Sequence, residues 1–198
     1  MLLRSVASAF GLSVNAKPEV PRDALKRILA SDAARLAENV GDGPWLYNFQ
    51  VPFNSVEAVA GLLWARLGSP DTVERWHAAH AVRQAARLGC WKIVDALVDW
   101  FDKEDANAFQ DRKLPFFKMH AQLWLLTALA RIALDYPAEI ARYSPLFMRV
   151  MGETDLPHPA MQDAAKRAYI ASLKGKKPTG TVVALLDSIN RSTPPFNH

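Results

Sequence analysis

Glycine and proline cut this chain into apolar segments of helical length, and that punctuation constrains the fold more than any other feature. Proline starts a helix well because the N–H it lacks would have no partner there. Glycine ends one well because it accepts the left-handed conformation that follows the last turn. Here Ser69-Pro70-Asp71, Pro115, Pro137 and His158-Pro159 open segments, and Gly68, Gly89, Gly152 and Gly175 close them. Between these marks apolar residues recur at helical spacing, whereas alternating strand-like runs are hard to find. The punctuation predicts an all-α protein.

Helices are expected over 55–67, 70–88, 91–101, 115–136, 137–151, 159–174 and 181–190, with Ser144-Pro145 breaking or restarting the fifth. Asn54 and Glu57 have capping-box spacing, in which the Asn54 side chain takes an orphan backbone N–H and Glu57 reaches back. Ser69 is expected to cap the second helix, with Pro70 at its first position and Asp71 in its first turn. Upstream, Leu25, Ile28, Leu29, Leu36 and Val40 recur near helical spacing until Gly41-Asp42-Gly43-Pro44 stops them. Trp45 to Phe53 reads as an extended aromatic connector. Residues 1–54 thus form an irregular helical segment packed on the region 55–191, and 192–198 a frayed tail.

A chain of 198 residues, 50% apolar and 22% charged, has the composition of one globular domain or a short run of repeats. Its net charge of +4 is scattered among carboxylates, so an anionic partner is permitted but nucleic acid is not favoured. The single Cys90 makes no intrachain disulfide and fits a reducing cytoplasm. The apolar run from Leu123 to Leu134 is interrupted by Thr127 and Arg131 and falls short of the ~20 residues of a membrane span. Arg4 interrupts the apolar start, so Met1 to Phe10 reads as a leading helix rather than a signal peptide. The absence of acids before Glu19 faintly resembles a transit peptide. A soluble cytoplasmic protein without a membrane partner is expected.

Few side chains are spaced for chemistry. His77 and His80 share a helix face with Glu74, but Glu-x-x-His-x-x-His lacks the four-residue histidine spacing of a zinc-protease helix, and no third ligand is identifiable. They are metal candidates only. His120 and His158 are isolated, with His158 placed to start a helix. Gly175 and Gly180 have phosphate-loop spacing, but Thr181 stands where that loop needs lysine, and the segment follows a helix rather than a strand. No nucleophile elbow is present, and Cys90 has no base near it in sequence. The basic stretches Arg112 to Lys118 and Lys174 to Lys177 read as solvated loops. No catalytic set and no cofactor are expected.

The helices group into three antiparallel pairs, 55–88, 91–136 and 137–174. Ala81, Ala128 and Ala168 can be laid in register at a period of about 40 to 47 residues. Ala78-Ala79, Ala85 and Gly89 likewise match Ala164-Ala165, Ala171 and Gly175. Small residues let helices approach, and each pair buries a face only when stacked on the next. The pattern resembles HEAT and armadillo repeats, which implies a right-handed superhelical α-solenoid. A non-repeating helical bundle is the alternative.

Two further resemblances bear on function. Cys90-Trp91-Lys92-Ile93-Val94-Asp95 resembles the Trp/Asp helix motif of HEAT-repeat DNA glycosylases of the alkylation-repair family. That resemblance implies that Trp91 and Asp95 face a damaged nucleotide, the carboxylate stabilising positive charge on the sugar as the base leaves. The later tryptophan and paired arginines of that family are not found. Over 55–174, Val73 to Arg83, Leu114 to Phe117 leading into Leu123 to Arg131, and the His158-Pro159 helix resemble repeats that follow the ATPase core of bacterial STAND-type NTPases, antiviral ones included. This implies a sensor or scaffold surface for a protein partner, and no ATPase motif accompanies it here.

Overall fold

The computed structural model describes residues 54–103, 109, 115–155 and 157–189. The expectations for 1–53, for the basic residues 112–114 and for the tail from 190 lie outside them. Every regular element among the described residues is helical: α1 (Ser55–Leu67), α2 (Thr72–Arg87), α3 (Trp91–Trp100), α4 (Pro115–Asp135), α5 (Pro137–Ile140), a 3-10 turn (Ala141–Tyr143), α6 (Ser144–Met151), α7 (Pro159–Ser172) and α8 (Gly180–Ser188). None of these helices is long and apolar enough to cross a membrane. The chain divides into two compact units, one ending at Ala121 and the other beginning at Gln122.

In the first unit α1 packs against both α2 and α3, and α2 against α3. Leu62, Leu63, Trp64 and Leu67 of α1 meet Val82 and the alanines 78, 79, 85 and 86 of α2, together with Ile93, Val94, Leu97 and Trp100 of α3, all buried. Burying each large apolar side chain contributes about 1.5–3 kcal/mol, so this three-sided cluster holds the unit. The Trp64 ring meets Trp100 edge-on with centroids 6.5 Å apart, and Trp100 lies 5.6 Å from Phe109. The Phe109 ring occupies the notch left by Gly61, where an added Cβ would come within 2.5 Å of it.

The turn from α1 to α2 is tied by side chains. Asp71, not Ser69, is the N-cap of α2, accepting the Val73 N–H at 2.8 Å, so the helix starts two residues later than the Ser-Pro signal predicts. Ser69 serves the turn instead: its hydroxyl donates to Glu74 Oε2 at 2.8 Å and accepts the Asp71 N–H at 3.2 Å. The Arg75 guanidinium spans the same turn, donating to the Ser69 and Pro70 carbonyls at 2.6 and 2.8 Å. The remaining helices fall within two residues of the sequence signals at each end, α7 stopping at Ser172 rather than 174 and α8 running from Gly180 to Ser188 rather than from 181 to 190. Asn54 caps α1 by accepting the Val56 N–H at 2.9 Å, and Gly68 and Gly152 close α1 and α6.

In the second unit α6 and α5 pack on α7. Ile140, Tyr143, Leu146, Phe147 and Met151 are buried on one side, and Met161, Ala164, Ala165 and Ala168 on the other. The three alanines have no exposed surface, because only a methyl group lets the helix backbones come this close. Gln162 donates to the carbonyls of Met151 and Glu153, closing the connection between α6 and α7. Lys166 Nζ donates to the Leu186 carbonyl at 2.6 Å and ties α8 to α7. The segment 137–151 is divided as Ser144-Pro145 predicts, with the 3-10 turn ahead of α6.

Candidate functional site

Two of the residues beside the chemical candidates serve local structure, Glu74 in the turn before α2 and His158 at the start of α7. Glu74 points away from a metal role, with Oε1 held by Arg66 Nη1 at 2.7 Å and Oε2 by the Ser69 hydroxyl. His80 lies edge-on to Trp76, one helical turn back, with ring centroids 4.4 Å apart, and His77 is exposed. Among the described residues no three His, Cys, Asp or Glu side chains come together to hold a metal ion. His158 Nδ1 accepts the Met161 N–H at 3.4 Å as the cap of α7, the helix-starting role its place before proline suggests. His120 is half-buried on α4 and already engaged.

Trp91 and Asp95 do share a helix, α3, where both are half-buried and both already interact with neighbouring groups. Cys90 precedes them as the cap residue, its sulfur 3.9 Å from the Leu88 carbonyl oxygen. The segment from Gly175 to Thr181 is a connection that enters α8 at Gly180, as its position after a helix implies.

A concave feature of the second unit lies elsewhere. The α5, 3-10 and α6 segment carries two apolar stripes. One, through Ile140, Tyr143, Phe147 and Met151, is buried. The other, Ala138, Ala141, Pro145 and Met148, recurs at intervals of three and four but lines an open groove of about 550 Å³. Tyr169 of α7 and its cap residue Leu173 form the facing wall, and Val182 of α8 one end. A surface helix needs a single apolar stripe to hold its place, so the second is surplus to this unit's own packing.

Polar chemistry inside the groove is muted. The Ser144 hydroxyl donates to the Ala141 carbonyl at 2.6 Å and the Ser172 hydroxyl to the Tyr169 carbonyl at 2.7 Å, so neither proton is offered to a ligand. Charge is confined to the lip, where Lys174 and Lys176 are exposed. Lys174 has φ +50° and Gly175 φ +83°. Glycine adopts this left-handed region freely, but for a lysine it costs roughly 1–2 kcal/mol.

The groove was not among the sequence expectations. Its signal, two apolar stripes over 137–151, is present, but the Ser144-Pro145 interruption divides the periodicity into pieces too short to read. The arrangement can bury an apolar surface. The two serine hydroxyls that line it donate to backbone carbonyls rather than to a histidine or carboxylate. No family model, no curated protein and no solved structure matches the chain.

Proposed function

We propose that this protein is a non-catalytic helical scaffold or sensor module that captures a segment of a partner protein in the groove between α5–α6 and α7. The observation that carries this reading is the second apolar stripe, Ala138, Ala141, Pro145 and Met148, directed at open space rather than at the unit's own core. An apolar, concave surface lined by helices is the usual receptor for an amphipathic helix. The dense alanine packing of α7, and the left-handed residues that follow the caps of α2 and α7 (Gly89, and Lys174 with Gly175), accord with repeated helix pairs of the HEAT/armadillo kind. The resemblance to the repeats of STAND-type NTPases accords with the recognition end of such a system.

A photoreactive side chain at Met148 should give a discrete protein adduct in cells, and Ala141→Trp, which fills the groove at an exposed position, should prevent it. The same group at Lys92, exposed on α3, should give none of that adduct. Equal adducts from both positions, or an adduct indifferent to Ala141→Trp, would sink the reading.

A further inference from the structure

We propose that the occupant of the groove is an acidic amphipathic helix of a partner protein, its apolar face on the Ala138–Met148 stripe and its carboxylates on Lys174 and Lys176. This rests on the groove being a docking site, and adds the chemistry of what docks.

The lip of the groove carries uncompensated positive charge. Among the described residues neither ammonium has a carboxylate within ion-pair distance, whereas Arg142 and Arg167 of the same unit pair with Glu139 and Asp163 at 3.5 and 2.8 Å. Lys177 follows, so three of the four residues 174–177 are lysines, and all four are exposed. The backbone places the first of these lysines: Lys174 is the residue past the cap Leu173, in the left-handed conformation that commonly ends a helix, so its side chain departs beside the groove's wall.

The interior favours a helix over a small polar ligand. Both serine protons are spent on backbone carbonyls, leaving those hydroxyls as acceptors only, so recognition of carboxylates falls to the lysines of the lip while the largely apolar floor takes the apolar face. The apolar stripe from Ala138 to Met148 extends about 15 Å at the helical rise, about three turns of a docked helix, which supplies anchors at i, i+3 or i+4, and i+7. The groove is open along that length, so a partner lies across it rather than being enclosed by it.

The test is selection of helical peptides from a displayed library, randomised at surface positions, against the full 198-residue chain. Selected peptides should carry an apolar stripe flanked by Asp and Glu. Charge reversal in Lys174→Glu with Lys176→Glu should weaken their binding about tenfold and flatten its salt dependence. Lys92→Glu, which changes the net charge away from the groove, should leave affinity unchanged. Peptides without acidic enrichment, indifferent to the double reversal but lost in Ala141→Trp, would overturn the acidic partner and leave the docking site standing. Peptides indifferent to Ala141→Trp, or none selected, would overturn both. Saturable binding of dodecanoate with no peptide selected would replace the helix with an acyl ligand and also overturn the proposal.

Discussion

A Cβ placed on Gly68 would lie 2.8 Å from the Phe117 carbonyl oxygen, closer than real contacts allow, although φ at this residue, −87°, suits alanine. Gly89 is the reverse, with φ +74° and nothing within 4 Å of an added Cβ. One glycine is needed for space and the other for conformation. The obstacle at Gly68 is backbone, which cannot rotate aside, so Gly68→Ala should cost about 1–3 kcal/mol, like other overpacked sites. Gly89→Ala should cost about 1 kcal/mol, and Gly89→Asn less, because asparagine tolerates the left-handed region. Urea midpoints at constant slope should rank the variants in that order, and a Gly68→Ala protein as stable as the parent would refute the close approach.

At the scale of the element, the start of α2 separates what local sequence encodes from what it does not. Asp71→Ala should lower stability by about 1 kcal/mol through loss of the cap, while Asp71→Asn should hold it within about 0.5 kcal/mol, read from thermal midpoints. Equal losses in both variants would mean that charge, not capping, is what Asp71 provides. Ser69 and Asp71 are both good caps on either side of a proline, so their types could not decide between them. The decision comes from Arg75, which clamps the Ser69 and Pro70 carbonyls, and from Glu74, which draws the Ser69 hydroxyl away. By contrast the starts of α1 and α7 were legible, because Asn54 and His158 act on amides two and three residues on. The groove was not legible. Its stripe is split by a 3-10 turn, and a lysine in place of glycine gives no warning of the left-handed backbone at Lys174.

For the whole molecule, the net charge of +4 is the sum of cations largely interleaved with acids, several of them in local pairs such as Arg66 with Glu74 and Arg167 with Asp163, and the exposed lysines of 174–177 are a short cluster rather than a stripe long enough to track a duplex. Binding to DNA draws its strength from unneutralised cations that release counterions. Fluorescence anisotropy with an alkylated duplex should therefore show no steeply salt-dependent binding, and the chain should release no modified base. Base release abolished by Asp95→Asn would instead make the protein a glycosylase and overturn the scaffold reading. The largely apolar lining of the groove carries a last consequence. Association there mainly strips water from carbon, which lowers the heat capacity of the system. The enthalpy of complex formation then grows more favourable on warming, so a calorimetric trace taken at one temperature describes that temperature alone.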